Sequence, residues 1–115
     1  MINFICNVQE GCIPTSIRED LEKGITTACN DVLGQEQGPI EFLWTEIPKG
    51  FGFRGGYPST TSQVAGSIPD GCTQEKRELL LRKICDSWSS ISGTTEDEAI
   101  ISIRDASWAE KTGYK

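Results

Sequence analysis

Hydrophobic residues occupy every second position near the start of the chain. Ile2, Phe4, Cys6 and Val8 alternate with Asn3, Ile5, Asn7 and Gln9, and a period of two predicts a strand. Gly11-Cys12-Ile13-Pro14 then turns the chain. Ser16-Ile17-Arg18-Glu19 has the spacing of a capping box, in which the hydroxyl and the carboxylate satisfy each other's free amides. From there Ile17, Leu21, Ile25, Ala28 and Val32 recur at helical spacing, and Gly34 supplies the stop. A second strand is predicted over Pro39–Pro48, with prolines at its ends rather than inside it.

The same order then repeats. Beyond the glycine-rich stretch Lys49–Tyr57, Gln63–Ile68 predicts a short strand, and Gly71-Cys72 turns the chain as Gly11-Cys12 did. Thr73 opens a helix whose inner stripe is Leu80, Leu81, Ile84, Cys85, Trp88 and Ile91. Gly93 stops it, and Ala99–Arg104 is the closing strand. At an offset of 59, Arg18-Glu19 matches Arg77-Glu78, Leu21 matches Leu80, Ile25 matches Ile84 and Gly34 matches Gly93. The pattern suggests an internal duplication.

A strand–helix–strand unit with a right-handed crossover has parallel strands. Two such units side by side predict an α/β (α+β) domain: a four-stranded mixed sheet with two helices on one face. Residues 1–115 form a single domain, with a first half at 1–50, a glycine-rich connection at 51–61, a second half at 62–106 and a C-terminal tail at 107–115. The strands carry apolar residues on both faces, so the face without helices is expected to be covered by other copies of the chain.

Composition removes several functional classes. With the 12 glycines counted, about 47% of the 115 residues are apolar, an ordinary globular share. A net charge of −6 argues against a nucleic-acid partner and against an anionic membrane surface. No apolar run is long enough to span a membrane. The chain has no histidine, which excludes a Ser-His-Asp or Cys-His nucleophile and any zinc site that needs imidazole. Its five cysteines, Cys6, Cys12, Cys29, Cys72 and Cys85, include no C-x-x-C pair. They are expected as packing residues, with no metal, no cofactor and no disulfide framework. No secretory leader is read at Met1-Ile2-Asn3, so a cytoplasmic location is expected.

Paired strand–helix–strand units in a short chain resemble the tautomerase superfamily. The sequence looks most like the cis-3-chloroacrylic acid dehalogenase group and other 4-oxalocrotonate tautomerase-like (4-OT-like) proteins. The matching stretches are Glu46–Gly50 leading to Phe53–Gly56, Val64–Gly66 leading to Asp70-Gly71, Arg82–Asp86, and Ile25–Ala28 on the first helix. The resemblance covers about residues 2–106 and rests on the order and spacing of these stretches. It implies a homotrimer whose sheets enclose a central barrel, and isomerase-like chemistry resting on an N-terminal proline, with arginines that hold a substrate carboxylate.

Carried across position by position, that machinery is replaced. The proline position falls at Ile2, behind Met1. The first-helix histidine falls at Cys29, the two arginines at Pro69 and Cys72, and the last-strand tyrosine at Ser102. A charge-assisted arginine–carboxylate contact is worth about 1.5–3 kcal/mol, so losing two of them and the base costs orders of magnitude in rate. The leading expectation is therefore a trimeric binding or structural protein without tautomerase or dehalogenase activity, open to an unidentified small-molecule ligand. The alternatives are an enzyme of different mechanism in the same pocket and a weak tautomerase using the Met1 amine, whose ordinary pKa is about 7.7–8.0.

Other candidates are weighed against plainer roles. Cys29 and Cys72 would face that pocket, but Asp31 and Asp70 beside them in sequence oppose a thiolate. Arg54 could hold an anion, or be an exposed loop arginine. Glu41 with Glu46, or Asp105 with Glu110, could form a carboxylate pair, or sit solvated at strand ends. Trp88 is expected in the helix core, and Trp108 and Tyr114 at a subunit interface.

Overall fold

The computed structural model describes residues 2–34 and 38–112. β1 (Ile2–Gln9) is central. The alternation in its sequence becomes an alternation in burial, with Ile2, Phe4, Cys6 and Val8 turned into the core. α1 (Thr15–Leu33) returns the chain to β2 (Ile40–Ile47), which pairs with β1 in parallel from Ile2–Ile40 to Gln9–Ile47. The second half repeats this with β5 (Ser62–Ile68), α2 (Gln74–Ser92) and β6 (Ala99–Asp105), β5 and β6 being parallel. The halves join through β1 and β5, which run antiparallel with Phe4 opposite Gly66 and Cys6 opposite Val64. The sheet order is β2-β1-β5-β6, as expected for a mixed four-stranded sheet. α1 and α2 pack against each other, and Leu21, Ile25, Leu80, Ile84 and Trp88 close the core over β1 and β5.

The repeat is visible in the elements themselves. α1 and α2 are both 19 residues long and begin 59 residues apart, as do β2 and β6. The inward-facing residues of β1 and β5 match at an offset of 60, because β1 runs one residue longer than β5 before a turn of equal length.

Three expectations are corrected. α1 starts at Thr15, with Pro14 at its N-cap and no side-chain cap, so Ser16 and Glu19 form no capping box. The Pro14 carbonyl already accepts the Ile17 amide at 3.2 Å, and proline's fixed φ starts the helix one residue early. At α2 the expected cap is present, the Thr73 hydroxyl accepting the Lys76 amide at 3.2 Å.

The tail is the second correction. Most of it is a short helix, α3 (Ala106–Thr112), whose Ala109 is buried. The glycine-rich connection is likewise folded: β3 (Phe53–Arg54) and β4 (Tyr57–Pro58) form a small hairpin across a Gly55-Gly56 turn, both glycines at positive φ.

The third concerns the sheet face away from the helices, which is not uniformly apolar. One row runs Leu43, Ile5, Ala65, Ser102 across the four strands, and the next runs Glu41, Asn3, Ser67, Arg104. An apolar band is thus flanked by a polar one.

Candidate functional site

Of the positions singled out by resemblance, Ile2, Cys29, Pro69 and Cys72 gather at the end of the sheet where β1 begins. Ile2 is completely buried and starts the ladder with Ile40. The register that pairs Asn3 with Ser67 brings Ile2 level with Ile68, so half-buried Pro69 follows directly beside it. Cys72 lies in the turn that leads from there into α2, and its thiol donates to the Thr73 carbonyl at 3.4 Å. Cys29, carried back toward this end by α1, is core rather than surface, and burial pushes its thiol up to about 12. Ser102 is exposed at mid-strand on the open face, opposite Ala65 and away from this end. Met1 and Tyr114 lie outside the described residues.

Two cations that the sequence reading passed over also sit at this end. Arg104 shares the polar row with Ser67 and Asn3, and its guanidinium lies over the Trp108 ring at 5.8 Å. Arg77, on the first turns of α2, donates to the Ile103 carbonyl at 3.0 Å and to Asp105 at 2.7 Å. The Ser107 amide donates to Asp70 at 3.1 Å. Its bonds to Ser107 hold the Asp70 carboxyl below the usual range. These contacts tie α3 against the turn that contains Pro69. As a strand, Ala99–Arg104 puts Ile100, Ser102 and Arg104 on one face. The helix that brings Trp108 back over Arg104 had no comparable signal.

The remaining candidates separate. Glu41 and Glu46, five residues apart on β2, point to opposite faces, and Glu46 is paired with Arg18 at 2.9 Å. Asp105 is engaged by Arg77, while Glu110 is exposed on α3. Arg54 is a strut rather than a loose loop residue. It reaches the Thr61 hydroxyl at 3.2 Å and Glu98 at 3.5 Å, fixing the β3–β4 hairpin to the 3-10 turn Glu96–Glu98. Trp88 is core, stacked on Trp44. Trp108 is about half exposed.

What this end offers is hydrocarbon at the strand start, thiols with no activating base, and a guanidinium stacked on an indole at the corner. Such a corner suits an anion or the edge of a planar molecule. Among the described residues, no three Cys, Asp or Glu side chains converge to hold a metal ion, and no helix is long and apolar enough to cross a membrane.

No protein-family profile and no curated protein matches the sequence. Solved structures do. The native structure of Ps01740 aligns with a TM-score of 0.82 and 26% identity over 93% of this chain and 97% of that one. A fused 4-OT, an asymmetric trimer, aligns with a TM-score of 0.78 and 17% identity over 90% of this chain and 85% of that one. N1, a member of the cis-3-chloroacrylic acid dehalogenase family, aligns with a TM-score of 0.79 and 16% identity over 90% of this chain and 73% of that one. With its two β-α-β units joined into one mixed sheet, the chain shares the fold of these structures.

Proposed function

We propose that this protein is a tautomerase-fold homotrimer that no longer carries out proline-dependent proton transfer and serves as a binding or structural protein. The observation that carries this reading is Ile2. It stands at the first position of β1, where the resemblance places the proline, with a hydrocarbon side chain fully buried in the core. In the sequence as it stands its nitrogen is an amide of the Met1-Ile2 bond, and an amide neither gives nor takes a proton near neutral pH. Its surroundings support no substitute: the Cys29 thiol is held at about 12 by burial, and Pro69 and Cys72 carry no positive charge where arginines would bind a carboxylate. The trimer is supported by the apolar band around Ile5 and Leu43 and by the trimeric assembly of the fused 4-OT structure. No cofactor enters this reading, and a cytoplasmic location goes with its five free thiols.

A second reading has one observation in its favour. Arg104 over Trp108 places a cation at the same end of the sheet, so a small anionic molecule could be held there by an enzyme of different mechanism or by a weak tautomerase that uses the Met1 amine. Ketonization of phenylenolpyruvate and of 2-hydroxymuconate separates the readings. The leading one expects no rate above buffer; turnover that Arg104→Ala abolishes would replace it with the second. Ile2→Pro alone is expected to rescue little.

A further inference from the structure

A cavity of about 490 Å³ opens between α2 and the edge strand β6. Its floor is apolar, made by Leu81, Ala99 and Ile101, with the Cys85 thiol beside them. Its rim holds three carboxylates, Glu78, Asp86 and Glu96, against one guanidinium, Arg82. Among the described residues, none of these four makes an ion pair within 4 Å.

The repeat explains why space is left there. At the offset of 59, Ala99 stands where the first half has Ile40, Ile101 where it has Phe42, and Ile103 where it has Trp44. In the first half those side chains fill the ground between helix and strand: Phe42 stacks on Phe4, and Trp44 stacks on Trp88 while donating to Glu22 at 2.7 Å. The second half keeps the frame and trims the filling. What fits the floor is an aryl or short alkyl group of the kind the first half supplies from its own chain. The rim selects the charge, since an excess of carboxylates over an apolar floor favours a cation. Burial pushes the Cys85 thiol up, with Glu96 and Asp86 adding to it.

We infer that the cavity between α2 and β6 is a binding site for a small hydrophobic amine, its apolar body on Leu81, Ala99 and Ile101 and its ammonium among Glu78, Asp86 and Glu96. This site is independent of the Ile2 end, and no chemistry on the amine is implied.

The test uses phenethylamine, phenylacetate and 2-phenylethanol as matched probes, followed by calorimetry and by amide shifts in the intact protein. Phenethylamine is expected to bind with shifts centred on Leu81, Cys85 and Ile101, and each of the other two to bind at least about tenfold more weakly. Asp86→Asn with Glu96→Gln should weaken the amine about tenfold without lowering thermal stability. Ala99→Ile with Ile101→Phe, which restores the filling of the first half, should remove binding altogether. The proposal is overturned if the amine binds no better than the alcohol, if its shifts map to the open sheet face, or if the charge-neutral variant binds it as well as the native protein. Saturation of the cavity by a second copy of the chain, seen as shifts that depend on protein concentration alone, would also overturn it.

Discussion

The ring of Phe4 lies over Gly66, its partner on the neighbouring strand. A Cβ built on Gly66 would meet the ring at 2.5 Å. The glycine is required by the aromatic opposite it, not by a turn: its φ is not among the positive values of the chain. Because Phe4 is fully buried and stacked on Phe42, the ring has nowhere to retreat. Gly66→Ala should destabilise the fold by about 1–3 kcal/mol, read from denaturant unfolding. The double variant Phe4→Leu with Gly66→Ala should be less destabilised than the sum of the two single changes; strict additivity would show that the close approach is not the cause.

Arg77 and Asp105 close the second half at the Ile2 end. The guanidinium is largely buried and also serves the Ile103 carbonyl. Arg77→Met should therefore cost about 1.5–3 kcal/mol, the range for charged hydrogen bonds. Arg18, at the same offset of 59, makes a comparable pair with Glu46 while its guanidinium lies over Trp44 at 5.2 Å. An equal loss in Arg18→Met would show that both halves depend on this strut.

Thiol chemistry should follow burial. Cys6 and Cys29 are both pushed up to about 12, Cys6 by burial and by Glu22, which outweigh Arg18, and Cys29 by burial alone. A maleimide at pH 8 should label half-buried Cys12 and Cys72 in the native protein and reach Cys6 and Cys29 only after unfolding. Mass spectrometry of the labelled peptides decides it, and rapid labelling of Cys29 would restore it as a candidate nucleophile.

Much of this architecture is legible in the sequence because it rests on periods. The alternation of Ile2, Phe4, Cys6 and Val8 survives intact as a core face, and the spacing of Leu21, Ile25, Leu80 and Ile84 places both helices. What is hidden depends on contacts between distant residues. Pro14 pre-empts the Ser16 capping box through its own carbonyl. The DASWAEKT segment looks polar, yet folds as α3 because Ala109 finds the core and Asp70 takes the Ser107 amide. At the candidate site, Ile2, Cys29, Pro69 and Cys72 come to one end of the sheet, and Ser102 does not. The two cations there, Arg77 and Arg104, had shown only as members of a helix and a strand. The cavity beside β6 has no local signature at all; it shows only when Ala99 and Ile101 are set against Ile40 and Phe42.

The tie between Asp70 and Ser107 gives α3 a pH dependence of fixed sign. A carboxyl whose folded pKa is depressed contributes stability above its unfolded value of about 3.9, and loses that contribution as pH falls through the lower folded value. The Ser107 amide resonance should titrate with a midpoint below about 3.9 and stay flat in Asp70→Asn. A midpoint at or above that value would mean that the carboxylate does not hold the helix.

Leu43 gives the trimer reading its sharpest test. It is 60% exposed in the single chain, in one row with Ile5 and Ala65, and an exposed apolar band of this kind marks an interaction surface. If three copies cover it, light scattering should give three times the chain mass of 12.6 kDa. Leu43→Arg should bring that toward the single-chain value, because each arginine would be buried without a partner in the assembly. In the isolated fold the same arginine would stand in solvent on an edge strand, so circular dichroism should show the secondary structure retained. A protein of single-chain mass before any substitution would remove the trimer and leave the band to some other partner.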